Sequence, residues 1–508
     1  MTVLPGGRAV RRWTRRRAWV RDPALLSDLL ADVYNALLTV AIVVAMVLGG
    51  AAGLGADLAA RPGAEGAGLG LRVGWLVLLG GAGAVLAVVA LAARLGPVGV
   101  RPSQAAWWLP LPVERRGLLR PAAAIWPAVS AGVGTVAGLA AVLVVASGGS
   151  APLLLAGATG GAGLAASAVL AVGLAQVTAR GHRRARVLVD VLLAVVPVVG
   201  IVVASVDLPP PASTPVVLWG TAAGAVLLAG SLAVVLDARL PRLSDAILRE
   251  RGFAAGEALA ATLSTDTRAL GRALSAQAAP LVRRSSSFRW LAPVPRRFAP
   301  HAALVTADAL LLLRSPRHLA QLLVSACLPA VALAVPSPVP VVTVLLLVVG
   351  AYAAGLAVTE AARRAEDAPV LDALLPVGAE TVRRLRLVTP SGAHLVWSLA
   401  VFALLTWRYG GAEWLALGAL GAPGWAAGAV RAAYRPPPDF SGGLVHTPMG
   451  AFPPGALSVV SKGPDVALLC AAPALLAVLT GTISPPLLWL QAALTAVALA
   501  VAAHVPRT

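Results

Sequence analysis

Twelve apolar segments of about 20 residues divide this chain, and the loops on alternate sides of them hold nearly all of its positive charge. A helix needs about 20 apolar residues to cross ~30 Å of hydrocarbon. Inside the bilayer every backbone N–H and C=O must be satisfied within the protein, which leaves helices as the form such segments can take. The segments fall at 36–54, 73–93, 123–146, 152–178, 187–206, 215–236, 319–336, 339–358, 391–407, 414–430, 464–482 and 485–503. Pro336, Pro338 and Pro340 leave almost no loop between the seventh and eighth. With 58% hydrophobic and only 12% charged residues, the chain is too apolar for an aqueous fold. The expected class is therefore all-α, a polytopic transmembrane bundle of about twelve spans.

The charge supplies a check independent of hydrophobicity. With the N-terminus placed in the cytoplasm, 38 of the 41 basic residues lie on the cytoplasmic side, leaving Arg61, Arg72 and Arg408 outside. Positive loops resist translocation during insertion, so this bias predicts that both termini are cytoplasmic. The net charge of +19 then reflects topology and attraction to anionic lipid. Nucleic acid is not an expected partner, because the arginines are scattered over seven loops instead of one face. Cys327 and Cys470 fall in expected spans, so no disulfide framework is implied. The block RRWTRRRAWVRD is followed by Asp28, Asp32 and a long apolar segment, which predicts a retained anchor and not a signal peptide. Arginine makes up 40 of the basic residues among abundant Ala, Gly, Val and Leu, a pattern of GC-rich bacterial genomes; the expected location is the bacterial plasma membrane.

The expected organisation is a first six-span half over 1–236, a cytoplasmic basic linker over 237–318, and a second six-span half over 319–508. Within the linker, Leu259, Leu263, Leu270 and Leu274 suggest amphipathic helices between Ser244 and Ala279, with Ser264 and Thr265 as a cap for the second. The stretch LVRRSSSFRWLAPVPRRFAP, with Phe288, Trp290 and Phe298, reads as a linker lying on lipid head groups. Before the first span, Leu25, Leu26, Leu29, Leu30, Val33 and Leu37 oppose Asp28, Asp32 and Asn35. That pattern fits either an interfacial helix or an extension of the span. Glycine pairs four apart (Gly49 with Gly53, Gly134 with Gly138, Gly220 with Gly224, Gly424 with Gly428) predict close helix packing. The loop 431–463 is expected to be ordered around Phe440, Leu444, Val445, Met449 and Phe452.

Chemistry is easier to exclude than to find. Lys462 is the only lysine and stands outside any phosphate-cradling glycine frame, so no ATPase of the P-loop type is expected in the chain. No histidine or cysteine spacing suits a metal, and no catalytic residue or cofactor is expected. Ionisable residues are rare within the spans, which argues against an ion-driven carrier. Asp190, four residues after Arg186, is expected to be interfacial and paired; His394 should be a satisfied polar residue, and Asp237 and Glu360 lie at span ends.

The strongest motif is internal. WWLPLPVERRGLLRP follows the second span and LLPVGAETVRRLR follows the eighth. Leu109, Pro110, Glu114 and Arg120 in the first match Leu375, Pro376, Glu380 and Arg386 in the second, with arginine pairs at Arg115 and Arg116 and at Arg383 and Arg384. Recurrence at equivalent positions predicts a duplicated module. On these residues the chain resembles membrane subunits of ABC-2-type exporters, and its layout is similar to a group of actinobacterial polytopic proteins associated with ABC transport. The resemblance implies that 101–121 and 366–386 are coupling loops engaging a separate ATP-binding subunit. In that picture Leu-Pro sets the turn, while Glu114, Glu380 and the arginines supply polar contacts. The brief loop DLPPPASTP, where related exporters often carry a larger external element, departs from the family pattern. Two other classes stay open: a non-transporting scaffold acting through 237–318, and a lipid-linked membrane enzyme, for which Asp57, Glu65, Asp207 and Glu413 are the external acids.

Overall fold

The computed structural model describes residues 6–21, 26–60, 64–145, 149–206, 214–263, 295–335, 339–435, 445–447, 450–452 and 462–504. Almost all of these are helical, and among them ten helices are long and apolar enough to cross a membrane. The protein is thus a membrane-embedded helical protein of many passes. It divides into two compact units that meet in sequence within 264–280.

The first unit contains α1 (Gly7–Arg21), α2 (Leu26–Ala60), α3 (Ala64–Leu95), α4 (Pro102–Trp108), α5 (Arg115–Val145), α6 (Ala151–Ala175), α7 (Ala179–Ser205), α8 (Pro215–Arg239) and α9 (Asp245–Leu263). Helix α2 runs unbroken from before the first span into it, so of the two readings of 25–37 the extension is the one observed. The arginine block forms α1, which packs on the start of α5: a Cβ on Gly7 would lie 2.2 Å from the Glu114 carbonyl oxygen. Helix α5 is the hub, touching α2, α3 and α6.

Glycine decides how close α5 and α6 come. A Cβ on Gly138 would sit 2.0 Å from the Gly157 carbonyl oxygen, and one on Gly134 would sit 2.2 Å from that of Gly161. Small residues allow this approach, and packing replaces the hydrophobic drive that lipid removes. The far side of α6 continues the pattern, with Gly160 and Gly163 facing Ala222 and Ala225 of α8. Gly49, Gly53, Gly220 and Gly224 instead have nothing within 4 Å of a modest side chain's first atom, so the packing expected of those two pairs is not observed.

The second unit contains α10 (Ala299–Leu313), α11 (Pro316–Ala334), α12 (Pro340–Val358), α13 (Glu360–Asp367), α14 (Pro369–Ala373), α15 (Ala379–Leu385), α16 (Val388–Tyr409), α17 (Glu413–Ala433), α18 (Pro464–Thr480) and α19 (Pro485–Ala503). Helices α17 and α18 are the two expected spans missing from the ten. The first is diluted by glycine, and the second has 17 residues. Both are packed among the other helices: Trp414, Leu417, Trp425 and Val430 of α17 share a core with Phe402, Leu405, Cys470 and Val478. A helix surrounded by protein does not need the hydropathy of one that faces lipid. Interhelical hydrogen bonds cross this core, from Gln491 Nε2 to the Cys470 carbonyl at 3.0 Å, Thr495 Oγ1 to the Leu420 carbonyl at 2.8 Å, and Trp397 Nε1 to Ser325 Oγ at 3.0 Å. His394 is fully buried on α16.

The central segment is not a single linker. Its first part, α9, packs on α3 and α4 of the first unit, while α10 packs on α11, α13, α15 and α16 of the second. In α9 the buried face is made by Leu248, Ala254, Ala258 and Ala261, with Leu259 exposed, so small residues and not the leucine pattern mark the inward side. The apolar run in α10 is 15 residues, too short to read as a span, and Asp308 interrupts it. Ser264, Thr265, Leu270, Leu274, Phe288 and Trp290 lie outside the described residues; Phe298 is described, with the Arg297 guanidinium 4.8 Å above its ring. In 431–463, between residues 435 and 462, the described residues form an antiparallel hairpin pairing Val445 with Phe452 and Thr447 with Gly450. Phe440, Leu444 and Met449 lie outside the described residues.

Candidate functional sites at the arginine-rich ends

In the first unit the arginine-bearing ends of α3, α5, α7 and α8 gather with the C-terminal end of α6 at one end of the bundle. Gln176, at the end of α6, pairs with Val98 as a strand would: its side chain accepts from the Val98 N–H at 3.0 Å and donates to the Val98 carbonyl at 2.8 Å. Arg94 bridges to Asp190 at 2.8 Å. Gly96 has a φ of 86°, and the Arg251 side chain fills the space its Cβ would need. Arg251 reaches back to the Arg94 carbonyl, and burial pushes its guanidinium below the usual range.

On this platform sits the first Leu-Pro loop. Pro102 opens α4, and Pro110 and Pro112 stop it, because proline cannot donate to the preceding turn. Leu109 is buried with Val98, Trp108, Val113 and Leu118 against Leu236, Leu240 and Leu243. Pro110 and Glu114 are exposed, the latter just before the first turn of α5, where an acid is favoured by the helix dipole. The arginines turn inward. Arg120 forms a fork on Asp237 of α8 at 2.5 and 2.7 Å, Arg116 meets the same carboxylate at 2.7 Å, and Arg115 meets Asp245 of α9 at 2.8 Å. Trp107 stays 77% exposed, beside exposed Leu111.

The second loop repeats this plan with different partners. Pro369 opens α14, the turn carries Leu374, half-buried Leu375 and exposed Pro376, and Gly378 precedes α15. Arg386 bridges Asp308 of α10 at 2.5 Å and Asp372 of α14 at 2.8 Å, nearly out of solvent. Burial pushes the Asp308 carboxyl up to about 6, against the pull of Arg386 and with a further push from Asp372. Arg383 stacks 3.8 Å over the Tyr434 ring and donates to the Ala502 carbonyl, tying the loop to the ends of α17 and α19. Burial pushes the Tyr434 phenol up to about 12. Glu380 and Arg384 pair with each other at 2.6 Å on the exposed side. Leu374 is 76% exposed. A cavity of about 310 Å³ opens beside the turn, lined by Glu366, Pro369, Asp372, Val382, Arg383 and Tyr434 among others.

Each unit therefore carries a short helix, a Leu-Pro turn and a following helix, whose arginine ten residues beyond the proline grips an aspartate on another helix. Asp237, Asp308 and Asp372 are partners that the sequence does not connect to the loops; Asp237 and Asp372 stand near helix ends, whereas Asp308 interrupts the apolar run of α10. The loops differ in one respect. Helix α5 continues without a break past Arg120, whereas the chain bends between α15 and α16 just after Arg386. Among the described residues no group of three potential metal-ligating side chains gathers.

Residues 68–443 match DUF6297, a family of unknown function, and the chain belongs to that family. The matched range holds both Leu-Pro loops. No curated protein and no solved structure matches the chain.

Proposed function

We propose that this protein is the permease subunit of an ABC-2-like exporter of the bacterial plasma membrane, with both termini in the cytoplasm and ATP hydrolysed by a separate subunit. The observation that carries this reading is the pair of matched loops. Both stand at the arginine-rich end of their unit, and both present outward apolar side chains, Trp107 and Leu111 in one and Val370 and Leu374 in the other. Exposed tryptophan and aliphatic side chains on such loops offer anchors that a partner protein could cover. The inward arginines suit a loop that must move together with its bundle: through Asp237, a force on the first loop reaches α8, and through Asp308, a force on the second reaches α10, while Asp372 ties Arg386 to the loop's own short helix. An ATPase that contacts the two loops differently in its open and closed states would supply the differential binding that conformational work requires.

The test is a complex of the full chain with its ATP-binding partner in lipid. Trp107→Ala with Leu374→Ala is expected to lower partner affinity about tenfold or more while leaving the membrane protein monodisperse. Cysteines placed at 115 and 383 are expected to label from the same side of the membrane. Labelling from opposite sides, or ATP hydrolysis indifferent to Trp107, Leu374, Glu380 and Arg384 together, would remove the proposal.

A further inference from the structure

A second feature of the first unit stands apart from the loops. Arg180, Arg183 and Arg184 occupy the first two turns of α7, directly after the short link from α6. All three are exposed, and among the described residues none has a carboxylate partner. Their position is electrostatically unfavourable. A helix N-terminus carries partial positive charge, its first turn here holds no acid, and the three guanidinium groups fall within five residues.

On the same face, one to three turns deeper, lie Val187, Leu188 and Val191, exposed by 58%, 59% and 52%. The six positions follow helical spacing on this one helix, and together they border a wide-open surface hollow of about 520 Å³. From Arg183 to Val191 the helix rises about 12 Å. A cationic helix end thus adjoins an exposed apolar strip on the same face of α7. Free phosphate would satisfy the cationic end alone, and an uncharged apolar molecule would satisfy the strip alone.

We propose that this face of α7 binds an anionic glycerophospholipid of the leaflet on the arginine side, with Arg180, Arg183 and Arg184 around the phosphate and one acyl chain along Val187, Leu188 and Val191. Guanidinium forks match phosphate oxygens, and the ligand's charge relieves the repulsion at the helix start. Chain contact supplies the part of the affinity that salt does not screen.

The experiment is native mass spectrometry of the purified full chain titrated with phosphatidylglycerol or with phosphatidylcholine of identical chains. Preferential retention of phosphatidylglycerol is expected, weakened about tenfold or more in R180Q/R183Q/R184Q. L188S/V191S keeps every charge and is expected to weaken retention as well, which covers the case in which the triple variant is poorly folded. R8Q/R12Q/R16Q, which removes equal charge from α1, is expected to bind as the parent does. The proposal is overturned if both α7 variants retain the lipid unchanged, if the α1 variant loses as much, or if excess inorganic phosphate displaces the lipid.

Discussion

Asp308 shows how much of the second site depends on one side chain. It is 4% exposed, bridged to Arg386, and raised by burial from 3.8 to about 6. The folded chain therefore holds this proton more tightly than the unfolded chain does. The stabilisation is complete below about pH 4 and is lost as pH rises through about 6, up to roughly 3 kcal/mol in all. Asp308→Asn fixes the neutral form, so its melting temperature is expected to vary less between pH 4.5 and 7 than the parent's, as a thermal-shift series in detergent at about half-unit steps would record. A variant whose profile ran parallel to the parent's would contradict this. The loop residues themselves were legible in sequence, since Leu-Pro, Glu and Arg recur at fixed offsets. Their partners were not, because Asp237 and Asp308 are distant in the chain and ion pairing of that range leaves no periodic trace.

Among the elements, the pairing of α5 with α6 rests on Gly134, Gly138, Gly157 and Gly161, where backbone meets backbone. Gly138→Val is expected to destabilise by about 1–3 kcal/mol or more, because neither helix can yield without moving its carbonyls. Gly224→Val, with open space around it, is expected to change stability by less than about 0.5 kcal/mol. Thermal unfolding of the two variants side by side separates the cases, and equal losses would show that the close approach is not what holds the pair. Sequence spacing alone could not rank these glycines. The four-residue pattern is identical at Gly134 and Gly220, and only the neighbouring helix distinguishes them. Length and hydropathy located nearly every long helix, yet they passed over α10, whose 15 residues fall below the crossing length.

At the scale of the whole molecule, the chain divides into two units, each with its own buried core. Residues 1–279 and 280–508 produced as separate chains are each expected to insert and to purify as monodisperse species, which size-exclusion chromatography in detergent would report. Aggregation of either piece alone would mean that its core is incomplete. Segment length and apolar composition made the many-pass helical class legible, while the position of the boundary was hidden, since α9 and α10 share a basic segment but pack with different units. One consequence reaches from the glycines to the arginine fork. No compressible layer of side chains lies between α5 and α6, and α8 rests on the other side of α6 with alanine against glycine. A shove delivered to the glycine-lined stretch of α5 is expected to pass through backbone contact to α6 and α8, so that the three stretches tilt like a single plank.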